Sequence, residues 1–119
     1  MVECAILIPT LRDSEISDGE PHGVAAWQWL EERILERFGG FTIAPGEYPG
    51  IWKSALTSSR VSDRSKKYYV AIAMTKVDEL RAIVREACVV FQQQCLYLSV
   101  AGHVEFIEPK AKKRRGNLR

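Results

Sequence analysis

The sequence predicts an α+β domain of the ferredoxin-like type, βαββαβ, in which a four-stranded antiparallel sheet carries two helices on one face. Three observations carry that prediction. Two segments repeat apolar residues at the helical period, apolar runs of strand composition flank and separate them, and 119 residues suit a single core.

The elements follow in chain order. "VECAILI", residues 2–8, is a short apolar run closed by Pro9 and reads as a strand. Residues 9–22 hold Asp13, Ser17, Asp18, Gly19 and Pro21, a loop by composition. From about Gly23 to Phe38, a helix gathers Val24, Trp27, Leu30, Ile34 and Phe38 on one stripe. Glu31 falls inside that stripe, where pairing with a base is expected, and Trp29 projects from the charged face as a contact-surface candidate. Gly39 and Gly40 follow the helix, so they read as a left-handed cap and not as a phosphate cradle, which needs its glycines before a helix.

Pro45, Gly46, Pro49 and Gly50 shape a turn or bulge at the second strand, which contains Ile51 and Trp52. The serine-rich "SALTSSRVSDRS" reads as the connection to a third strand, "KKYYVAIAM", Lys66 to Met74. Thr75 with Asp78 and Glu79 marks a second helix start, and Leu80, Ile83, Val84, Ala87 and Phe91 form its buried stripe. "CLYLSVAGHVEFI", Cys95 to Ile107, alternates as a last strand bent or bulged at Gly102. By the period of two, Cys4, Ile6, Ile8, Tyr68, Val70, Ile72, Leu96, Leu98 and Val100 face the helices. The open face receives Glu3, Ala5, Leu7, Lys67, Tyr69, Ala71, Tyr97, Ser99 and Ala101. Its small residues and tyrosines suit a homodimer, a small ligand or splayed bases.

Charge divides the chain. Its last ten residues hold six Lys or Arg and no acid, whereas residues 1–109 carry eleven bases against fifteen acids, a net of minus four. The predicted organisation is therefore a single domain, 1–109, followed by a basic tail, 110–119, expected to be disordered. Lys110, Lys112, Lys113, Arg114, Arg115 and Arg119 are its nucleic-acid candidates, and six phosphate contacts on duplex DNA would give a log–log salt slope of about −5. No apolar run approaches the roughly 18 residues of a membrane span. The N-terminal "MVECAILIP" carries an acid where a secretory signal carries bases, so a cytoplasmic protein without membrane contact is expected.

Candidates for chemistry are few. Cys4, Cys88 and Cys95 lie in apolar sequence at no ligand spacing, which predicts core residues and no metal. His22 and His103 stand near no nucleophile motif, and His103 with Glu105 makes an edge-strand ion pair more readily than an acid–base pair. Tyr69 resembles a base-stacking aromatic of an RNA-binding sheet, but the expected glycines are absent and the first strand has no aromatic. No catalytic residue and no cofactor are predicted.

The stretches "WLEERILERFGGFT", "GIWKS", "SDRSKKYYVAI" and "LRAIVREACVVFQQQCLYL" resemble a DUF3574-like family of small bacterial proteins. The motif positions are Trp27, Arg37, Phe38, Gly40, Thr42, Gly50, Trp52, Lys53, Asp63, Ser65, Lys66, Phe91 and Gln93. The resemblance spans about Val24 to Ile107, implies the ferredoxin-like fold and brings no assigned activity; the family pattern usually has Glu where Asp63 stands. It points to Trp52, Lys53, Asp63, Lys66 and Gln93 as the lining of a ligand pocket, although each also has a structural reading.

The leading expectation is a small non-enzymatic binding or interaction protein, a homodimer with Trp29, Tyr69 and Tyr97 at its interface. A nucleic-acid-associated protein using the tail is one alternative. A small enzyme of the dimeric α+β sheet type is another.

Overall fold

The computed structural model describes residues 1–54 and 56–110. Among them the chain forms a mixed α+β structure, two α-helices against an antiparallel sheet of six strands. The strands are β1 (Val2–Pro9), β2 (Thr42–Ile43), β3 (Tyr48–Lys53), β4 (Arg60–Ile72), β5 (Leu96–Val100) and β6 (His103–Ile107). The helices are α1 (Val24–Phe38) and α2 (Val77–Val90). Across the sheet the order is β2, β4, β1, β5, β6, with β3 pairing β4 farther along the same edge.

The four strands expected become six for two physical reasons. The strand around Trp52 is interrupted where Gly46 takes a positive φ of 77°, so β2 pairs Tyr68 and Tyr69 while β3 pairs Arg60 to Ser65. What reads as one bent strand after α2 is a hairpin. Ala101 and Gly102 turn at φ 50° and 86°, the two positive values that a tight hairpin turn requires. The serine-rich connection is also shorter than expected, because Arg60 to Ser65 already belongs to β4. That segment is hydrophilic because much of it meets water, yet one edge of its backbone pairs with β3 along its whole length.

Helix ends follow local chemistry. Gly39 at φ 88° closes α1, its N–H donating to the Leu35 carbonyl at 2.9 Å. Thr75 does not cap α2: a 3₁₀ turn over Met74–Lys76 leads in, and Asp78 and Glu79 occupy the first turn of the helix. The core lies between the helices and the near face of the sheet, where Cys4, Ile6, Ile8, Tyr68, Val70, Ile72, Leu96, Leu98 and Val100 meet Leu30, Ile34, Leu80, Ile83, Val84, Ala87 and Phe91. Val24, assigned to the α1 stripe, is instead 71% exposed, since it precedes the point where the helix meets the sheet. Cys4 and Cys88 are buried as expected, but Cys95 is exposed at the far side, one residue before β5 begins. No helix is long and apolar enough to cross a membrane among the described residues.

The open face is not flat. In a flat sheet β3 and β6 would stand four strand spacings apart, about 19 Å, yet the Trp52 and Phe106 rings approach edge to face at 5.8 Å between centroids. The β3–β4 arm therefore curls over, and the open face becomes concave.

Candidate functional site

That concavity encloses about 420 Å³. Its floor is Leu7 of β1 and Tyr97 of β5, which are cross-strand partners. One wall is Trp52 on β3 with Val61, Asp63 and Ser65 on β4, all on the same side of the arm by alternation. The other wall is Phe106 on β6, T-shaped against Tyr97 at 5.9 Å. The mouth is polar: Asp13 and Glu15 from the loop after β1, Lys53 at the end of β3 with Ser54 after it, Gln93 and Gln94 after α2, and Glu108 after β6.

Hydrogen bonds hold this mouth in shape. The Gln94 Nε2 group donates to Asp13 Oδ2 and Glu15 Oε1, each at 2.9 Å. Ser54 Oγ lies 2.7 Å from Glu15 Oε1, and Thr57 Oγ1 donates to Glu15 Oε2 at 3.3 Å. Donors from Ser54, Gln94 and Thr57 hold the Glu15 carboxyl below its usual range, so it remains charged. Asp63 has the opposite bias. Burial pushes its carboxyl up, and the indole N–H of Trp52, donating to Oδ1 at 3.0 Å, acts against that push.

Of the five residues expected to line a pocket, the fold brings together Trp52, Lys53, Asp63 and Gln93. Gln93 is engaged structurally, its amide donating to the carbonyls of Leu11 and Phe91 at 2.9 Å each. Lys66 is on the other face: its ammonium sits 4.7 Å from the Trp27 ring centroid and 3.9 Å from Glu31. An even position on β4 faces the helices while the odd positions face the cavity, so Lys66 cannot join Asp63. Glu31 also accepts a 2.6 Å hydrogen bond from the buried Tyr68 hydroxyl.

The aromatics expected at an interface separate as well. Tyr97 lines the cavity, Tyr69 shares the Lys67 ammonium with Tyr48, and Trp29 is half-buried with the Arg33 guanidinium 5.3 Å from its ring centroid. Glu105 pairs bidentately with Arg81 at 2.8 and 2.6 Å, not with His103. Of the basic tail, Lys110 is exposed, and Lys112, Lys113, Arg114, Arg115 and Arg119 lie outside the described residues.

Sequence reasoning passed over Asp13, Glu15, Gln94, Phe106 and Glu108. Each reaches the cavity from a loop or a distant strand, and the pattern around each is that of an ordinary solvated turn or edge. Phe106 alone left a signal, an aromatic at an outward position of a strand, and reading that strand as bent hid its face.

No family model and no curated protein matches the chain. Two solved structures share its fold. A phage SAM lyase in complex with S-methyl-5′-thioadenosine aligns at TM-score 0.65 and 12% identity, covering 94% of this chain and 92% of that one. A phage SAM lyase in its apo state aligns at TM-score 0.63 and 13% identity over the same shares. This likeness overturns the expectation of a non-enzymatic binding protein, since both neighbours that share the fold over nearly their whole length are enzymes.

Proposed function

We propose that this protein is a small enzyme that receives a positively charged, aromatic-bearing small molecule in its concave face and cleaves it without water, S-adenosylmethionine being the first substrate to test. One observation carries the reading. Among the described lining residues, four carboxylates, Asp13, Glu15, Asp63 and Glu108, face a single lysine, Lys53, beside the rings of Trp52, Tyr97 and Phe106. Carboxylates and ring faces both attract a cation, the latter by about 0.5–2 kcal/mol depending on desolvation. The aromatic walls also suit a flat base. A volume of about 420 Å³ is within the roughly 300–1,000 Å³ usual for small-molecule sites.

The fold neighbour that holds S-methyl-5′-thioadenosine supports the same substrate class. That thioether is what S-adenosylmethionine leaves when the bond from sulfur to its aminobutyrate chain breaks and sulfur keeps the electron pair. Two routes conserve atoms: loss of a neighbouring C–H proton to a base, giving an alkene, or attack by the substrate's own carboxylate, giving a lactone. Only the first needs a protein base, for which Asp63 is the candidate among the four lining carboxylates, since burial pushes its carboxyl up.

Incubation of the full chain with S-adenosylmethionine is expected to release S-methyl-5′-thioadenosine faster than a protein-free blank, with mass spectrometry of the second product separating alkene from lactone. A rate equal to the blank, together with no calorimetric heat from either nucleoside, rejects the reading. We also propose that the DUF3574-like resemblance belongs to this site, since its motif positions Trp52, Lys53, Asp63, Ser65 and Gln93 line one cavity.

A further inference from the structure

Gly50, Trp52 and Asp63 form a unit on the β3–β4 arm. Gly50 and Asp63 are cross-strand partners, and Trp52 projects to the same face two residues on. The indole lies back across Gly50, so that Nε1–H reaches Asp63 Oδ1 at 3.0 Å. A Cβ on Gly50 would stand 3.0 Å from Trp52 Nε1 and 3.2 Å from Asp63 Oδ1, crowding the hydrogen bond from the side. Unlike Gly39 and Gly46, Gly50 has no positive φ, so space and not backbone freedom requires it.

We propose that Trp52 and Gly50 are positioning residues for Asp63: Trp52 holds Oδ1 through its indole N–H, and Gly50 leaves the room that lets the indole do so. The inference rests on the cation-site reading for its functional meaning, while its geometry stands without it. Asp13, Glu15, Lys53 and Glu108 are the other charged groups of the cavity, and none is hydrogen-bonded to Asp63 among the described residues.

The test is a carboxyl NMR titration of Asp63 in the full-length protein. Trp52→Phe, which keeps a ring but removes the donor, is expected to raise the Asp63 midpoint by about one pH unit. Gly50→Ala is expected to raise it in the same direction by pushing the indole away. Ile51→Ala, on the opposite face and 67% exposed, is expected to leave it unchanged. Affinity for S-adenosylmethionine relative to uncharged S-methyl-5′-thioadenosine is expected to fall in both cavity variants, since only the former carries charge on sulfur. An unmoved midpoint in Trp52→Phe overturns the proposal, and an unmoved midpoint in Gly50→Ala alone removes Gly50 from it. Should Gly50→Ala not fold, Trp52→Phe carries the test. If the wild type binds neither nucleoside, the cation-site reading falls while the titration still judges the positioning.

Discussion

The two faces of the sheet are made from the same strands and serve opposite ends. On the helix side, large aliphatics interlock at complete burial around Tyr68 and Phe91. On the concave side, Trp52 is 38% and Phe106 53% exposed, and carboxylates stand beside them at the cavity mouth. Stability comes from the first arrangement. The second leaves apolar surface exposed and four carboxylates beside a single lysine among the described lining residues, the condition a cationic ligand can improve.

Substitutions can break or sharpen this contrast. The largest effect is expected from Phe91→Ala, which opens the core beneath His22 and Trp27 and should cost about 3–5 kcal/mol by denaturant unfolding. Tyr68→Phe removes the hydroxyl bonded to Glu31 and should cost roughly 1.5 kcal/mol, the low end for a hydrogen bond to a charged group because Glu31 meets water. At the other extreme, Phe106→Ser should change stability by under about 1 kcal/mol while weakening cationic nucleoside binding in calorimetry. If Phe106→Ser destabilised as much as Phe91→Ala, the division of labour between the faces would be wrong.

A pH experiment probes the seam between them. His22 packs edge-on against Trp27 and Phe91, and its Nε2 lies 2.7 Å from the Pro9 carbonyl. A carbonyl only accepts, so Nε2 bears the proton and the buried Nδ1 is left without a partner among the described residues. Burial lowers the His22 pKa below its ordinary 6.5. The folded state therefore binds fewer protons than the unfolded one, and this stability is complete above about pH 7 and is lost as pH falls through 6.5 and below. The unfolding midpoint of the wild type should drop over that window. His22→Gln, whose amide can donate to Pro9 without titrating, should flatten the drop. Glu15, with its lowered carboxyl, contributes its own loss only below 4.5, so the two windows separate.

The helix-side core was legible because large apolar residues recur there at a clean period of two or 3.6, as from Cys4 to Ile8 and from Leu80 to Phe91. The first half of β4 was not. Arg60 to Asp63 has no apolar face toward the helices, and its pairing with β3 is a backbone property that side-chain pattern does not record. Trp52 and Asp63 could be named, but not their meeting, because that depends on the β3–β4 register and on Gly50 carrying no side chain. Asp13, Glu15 and Glu108 looked like solvated turn residues, and in a flat sheet they would have been.

The alternation along β4 places Tyr68 in the core and Asp63 in the cavity within six consecutive residues. Substitutions there can be absorbed one face at a time. A single inserted or deleted residue between them would put both on one face, sending either the tyrosine toward the cavity or the acid toward the helices. Length variation among natural variants of this chain should therefore be excluded from 63–68 and tolerated in the 10–22 loop, so that a simple survey of gaps would reveal which strand both faces share.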